Sequence, residues 1–120
     1  MRFLLVIALL ALVGCSADHG RFGPYYTPRV SAAKAIDNPD LRDDTLSRVG
    51  RQAIDGGDAV AASDAVDAIS EQQLKDELAA RSARTLNGRQ QWSQATTMAK
   101  KIMDVNLRDR ILAEIATGRS

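Results

Sequence analysis

Ile36-Asp37-Asn38-Pro39-Asp40-Leu41-Arg42-Asp43 decides the fold, because its frame returns twice. Ile69-x4-Leu74-Lys75-Asp76 and Ile102-x4-Leu107-Arg108-Asp109 carry the same spacing, 33 residues apart each time. A fixed period in that range marks stacked helical units, each covering its apolar face with the next.

Outward from this frame, the chain alternates helix starts, apolar stripes and breaks. Asn38 before Pro39 is a strong start: a capping side chain, then a residue whose missing N–H costs nothing at the first helical position. Leu46, Val49, Gly50, Ala53 and Ile54 then share one helix face, and Gly56-Gly57 ends the helix. Asp58 is placed to cap a helix carrying Ala62, Ala65, Val66 and Ile69. Ser70-Glu71-Gln72-Gln73 fits a capping box with Ser70 as the cap, ahead of Leu74, Leu78 and Leu86. Asn87-Gly88 should stop that helix, and Trp92, Ala95, Ala99 and Ile102 mark the next. Asp104 is expected to cap a last helix using Leu107, Ile111, Leu112 and Ile115 before Gly118. No segment alternates as a strand does, so the reading is all-α.

Before the frame, Val30 to Ile36 is a short helix-compatible run. Ser16 to Arg29 holds Gly20, Gly23, Pro24 and Pro28 without apolar periodicity, and reads as a tether. Phe22, Tyr25 and Tyr26 in it are expected to touch a lipid interface or fold back. Ahead of that, Met1-Arg2 is a basic start and Phe3 to Val13 an apolar run of eleven residues. Such a run is too short to span a bilayer and suits the core of a secretory signal.

Leu12-Val13-Gly14-Cys15 closes that run and resembles the lipobox of bacterial lipoproteins. The resemblance implies cleavage between Gly14 and Cys15, diacylglycerol on the Cys15 sulfur and an acylated new N-terminus. Two or more chains anchor stably where one does not. By the same resemblance, Ser16 rather than Asp after the Cys favours the periplasmic face of the outer membrane. The expected division is a signal peptide at 1–14, lipidated Cys15 and tether at 15–29, and a helical repeat domain at 30–120.

The repeat resembles the tetratricopeptide family. That family's small residue in its first helix matches Gly50, Ala83 and Ala116, and its alanine early in the second helix matches Ala62 and Ala95. Gly57 stands for its inter-helix glycine. Leu46, Ala53 and Val66 replace its large aromatics, Leu74 and Leu107 its late proline, and its usual period is one residue longer. The fold expected is a short tetratricopeptide-like α-solenoid of antiparallel helix pairs. The family's ligand-facing positions map to Asp44, Ser47 and Arg51, to Glu77, Ala80 and Arg84, and to Arg110. The resemblance thus implies a polar groove with arginines available for forked bonds to carboxylates.

Fifteen acids nearly balance sixteen bases, which argues against a nucleic-acid partner. Catalysis is not expected: Cys15 is assigned to lipid, His19 is the one histidine and lies in the tether, and no metal spacing or phosphate loop stands out. No cofactor is expected. The repeated Arg42-Asp43, Lys75-Asp76 and Arg108-Asp109 pairs read as a helix-start motif with salt bridges between adjacent repeats, rather than as a partner-gripping ladder. The functional reading is a lipid-anchored module that docks an envelope protein or peptide. The alternative is a small structural or inhibitory lipoprotein acting on one envelope enzyme. Leu112 and Ile115 on the last helix should leave apolar surface for a weak homodimer or a partner helix.

Overall fold

The computed structural model describes residues 23–119, among which there are six helices and no strand. The expected signal peptide, its Gly14–Cys15 cleavage point, the lipidation of Cys15, and His19 all lie outside the described residues. The helices are α1 (Gly23–Lys34), α2 (Pro39–Asp55), α3 (Ala59–Ala68), α4 (Gln72–Gly88), α5 (Trp92–Ala99) and α6 (Val105–Thr117). The starts of α2, α4 and α6 are 33 residues apart, as are those of α3 and α5. None of the described helices is long and apolar enough to cross a membrane.

Local chemistry sets the boundaries. Asn38 accepts from the Leu41 amide at 2.9 Å, Asp58 from Ala61 at 2.9 Å, and Asp104 from Leu107 at 3.0 Å. Each is worth about 1 kcal/mol against alanine. At the start of α4 the expected cap moves by one residue. Glu71, not Ser70, accepts from the Gln73 and Leu74 amides at 3.1 and 2.7 Å. Glu71 is the position that corresponds to Asn38 and Asp104 in the 33-residue frame, so the repeat overrides the local motif. Gly57 takes the left-handed conformation at φ 86°, and its counterpart Gln90 does the same at φ 62°. The break after α4 therefore turns on Gln90 rather than on Gly88.

The first helix starts earlier than expected: Gly23 to Arg29, read as tether, is helical despite Pro28. Proline there removes one i→i−4 bond. Contacts from the same turns offset it, with Val30 fully buried, Ala33 at 2 % exposure and Tyr26 packed on the core. Tyr25 stays outside, where its ring lies 4.2 Å from the Arg29 guanidinium carbon and 5.0 Å from the Tyr26 ring.

Packing follows the repeat. α2, α4 and α6 form one row, each touching the next, while α1, α3 and α5 form the other. The core is aliphatic: Leu46, Ile54, Val66, Leu78, Leu86, Ile102 and Ile111 are fully buried among alanines. Gly50 lets helices close in, since a Cβ there would lie 2.5 Å from Leu78 Cδ2 and 3.1 Å from Ala65 Cβ. Ala62, Ala83 and Ala95 are likewise inaccessible, as expected of crossing positions. Trp92, expected to mark the apolar stripe of α5, instead stands 55 % exposed at its first turn.

Burial fades at both ends of the array. Ala116 is exposed although its counterparts Gly50 and Ala83 are buried, and Leu112 is half-buried where Leu46 and Ala79 are fully so. At the other end Ala32 is exposed where Ala65 and Met98 are buried, and Ile36 is half-buried where Ile69 and Ile102 are buried.

Candidate functional site

The recurring acids have a structural task. Asp43, 4 % exposed, accepts from the Ser70 amide at 3.0 Å and the Glu71 amide at 2.9 Å. Asp76 repeats this one unit on, accepting from Met103 at 2.7 Å and Asp104 at 3.0 Å. Each carboxylate thus holds two successive amides at the start of a helix in the next unit, where an anion also meets the positive end of the dipole. These two acids join neighbouring units through charge-assisted bonds to backbone rather than through the expected salt bridges, which other residues supply. Arg42 turns the other way, donating to the Ile36 carbonyl at 3.3 Å.

The residues mapped to a groove divide into two groups. Ser47, Arg51 and Glu77 meet with Leu78 and Arg81 around a shallow cleft of about 230 Å³ between α2 and α4. Arg51 is exposed and donates from Nε to the Ser47 carbonyl at 3.3 Å, while Glu77 accepts from Gln73 at 3.1 Å. Ser47 itself is only 7 % exposed and forms floor rather than contact surface, and Ala80, at 5 %, is buried and does not line the cleft. Asp44 is engaged along its own helix with Arg48 at 3.0 Å.

Arg84 and Arg110 lie away from that cleft, toward α6. Arg84 makes a forked pair with Glu114, Nε to Oε2 and Nη2 to Oε1 both at 3.0 Å. The mapped position therefore already holds a carboxylate from the same chain. Those bonds hold the Glu114 carboxyl below its ordinary value; partial burial opposes them, and the charges of Arg84 and then Arg110 add to them. The same bonds raise Arg84 against the effect of its burial. A carboxyl depressed on folding contributes stability above its unfolded pKa of about 4.3 and loses it as pH falls through the folded value. Both side chains are partly solvated, at 46 % and 25 % exposure, so the pair is worth about 1 kcal/mol or less. Glu114→Gln should therefore cost that much at pH 7 and less at pH 3, as read from urea midpoints. A cost unchanged between the two would mean that the charge does not matter.

Arg81 was absent from the sequence reading yet lines the cleft, where it reaches Asp55 at 3.0 Å. The signal was its spacing, one turn beyond Glu77 and three residues before Arg84. Along the α2–α4–α6 row, bases therefore gather in the later turns of α2 and α4. The helix starts are acidic by contrast: Glu71, Asp76, Glu77 and Asp104 surround a second cleft of about 500 Å³ between α4 and α6. No protein-family model, curated protein or solved structure matches the chain.

Proposed function

We propose that the chain is a lipid-anchored envelope protein, held on the periplasmic face of the outer membrane through Cys15, whose helical array docks a protein or peptide. The observation that carries the docking reading is the cleft in which Arg51, Glu77 and Arg81 converge over a buried floor of Ser47 and Leu78. The Arg51 guanidinium, with the donors of Arg81 other than the Nη2 that holds Asp55, suits a segment presenting carboxylates, because a guanidinium offers a planar fork of donors. Glu77, which lines the same cleft, suits a hydroxyl or amine on the same segment. The 33-residue helix pairs and the small residues at their crossings support the tetratricopeptide-like reading, in which this row faces ligand. The anchor reading rests on Leu12-Val13-Gly14-Cys15.

The test pairs two measurements. Mass spectrometry of the N-terminal peptide should show acyl chains on Cys15, and Cys15→Ser should abolish them; an unmodified thiol overturns the anchor. From detergent-solubilised envelopes, the wild-type chain should retain a partner that the Arg51→Glu/Arg81→Glu variant loses while its helical circular dichroism is unchanged. Equal capture by both would remove the cleft from the docking surface.

A further inference from the structure

The two ends of the array are the two halves of a join that the molecule makes internally. In that join an acid of one unit holds two amides 27 and 28 residues later, as Asp43 and Asp76 do. The third copy of the acid, Asp109, has a side chain 69 % exposed. Its only polar neighbour among the described residues is the adjacent Arg108 at 4.0 Å, and it receives no amide there. At the opposite end, Asp37 and Asn38 stand in the frame of Ser70-Glu71 and Met103-Asp104. Their amides meet no acceptor among the described residues. One end has the carboxylate without the amides, the other the amides without the carboxylate.

Helix order supplies an independent match. α1 falls in the frame of α3 and α5, so the described array opens with a helix of that row and closes with α6 from the other. Within the molecule α2 meets α3 where Gly50 faces Ala65. Their counterparts at the ends are Ala116 on α6 and Ala32 on α1, both small and both exposed. Setting α6 of one molecule on α1 of a second, as α2 sits on α3, buries that pair and half-buried Leu112. The same placement brings Asp109 to the Asp37 and Asn38 amides, because internally the two contacts belong to one step of the repeat.

We propose that copies of this chain associate head to tail, with Asp109 and Ala116 of one molecule on Asn38 and Ala32 of the next. The contact is heterologous, so it propagates into a row or closes into a ring, unlike a two-fold dimer. It uses the ends of the array and leaves the cleft of Arg51 and Arg81 free, so it stands apart from the docking function. One residue departs from the internal pattern. Arg29 occupies the place of Ala62 and Ala95, and keeps this join weaker than the internal ones.

Native mass spectrometry of the full-length chain released from detergent counts copies directly. The wild type should show complexes of two, three and more copies that grow with concentration. Ala32→Glu blocks one end and Asp109→Lys the other, both at exposed positions that folding tolerates. Each variant alone should lose such complexes at least tenfold, whereas an equimolar mixture should restore a complex of two copies, one of each, and no larger one. A wild type that stays single at every concentration overturns the proposal. Complexes that survive either substitution alone, or a mixture that stays single, overturn it as well.

Discussion

Asp76→Ala is expected to lower the unfolding free energy by about 3 kcal/mol, a large share of what a domain this small possesses. The side chain is 5 % exposed and takes two amides, from Met103 and Asp104. Hydrogen bonds to a charged group are worth about 1.5–3 kcal/mol each, and water reaching the adjoining cleft would recover part of the loss. Asp76→Asn keeps one acceptor oxygen and should cost about half as much. Asp43→Ala should match Asp76→Ala, because its geometry is the same. Asp109→Ala should fall within about 0.5 kcal/mol of the dilute wild-type chain, since its side chain is solvated. Urea denaturation of the four variants decides this. Similar losses at Asp76 and Asp109 would mean that the acids act through helix-start electrostatics and not through the amides they hold.

The second large effect is at the helix crossings. Gly50→Leu has no room, as even a Cβ there meets Leu78 Cδ2 at 2.5 Å. Leu78 is itself 2 % exposed and belongs to the core that α2 and α4 share. Forcing α2 away from α3 and α4 should cost about 3 kcal/mol, the upper part of the range for overpacked cores. Ala83→Leu and Ala62→Leu, both at inaccessible positions, should cost about 1–3 kcal/mol. Ala116→Leu, in the same frame but exposed, should leave the midpoint of the dilute chain unchanged. Unaltered midpoints for Gly50→Leu and Ala83→Leu would place these residues at solvent and dissolve the repeat frame.

Most of the fold was legible because its determinants are local or strictly periodic. Asn38, Asp58 and Asp104 cap as their side chains allow, and the apolar stripes of α2 and α4 face inward as their spacing requires. The structure departs from expectation where a local motif and the period disagree. Glu71 lies midway between Asn38 and Asp104 in the 33-residue frame, yet Ser70 looks like the better cap by itself. Gln90 has a side chain that disfavours a left-handed turn, yet it is the counterpart of Gly57 and takes one. The helical turns before Val30 were hidden because two prolines and a glycine outweigh, residue by residue, the packing that Tyr26 and Val30 supply from afar.

The site was less legible for a related reason. Spacing identified Arg51 and Arg84 as equivalent, but equivalence does not fix occupancy. The counterpart of Glu114 one unit earlier is Arg81, so Arg84 is paired while Arg51 faces another cation across the cleft. The role of Asp43 and Asp76 was likewise out of reach, because their partners are backbone amides that any sequence would supply.

The bond between units has a direction: acid first, amides after. An array built this way can gain or lose a whole unit at either end without stranding a charge in the interior. Removing the last unit frees an acid of the kind that Asp109 already is, solvated at the surface. Removing the first frees two amides of the kind that Asp37 and Asn38 already are. Duplication of a 33-residue segment would in turn add its own acid and its own amides in register. Length is therefore a quantity that such a chain can change in whole steps over its history, with its interior chemistry intact.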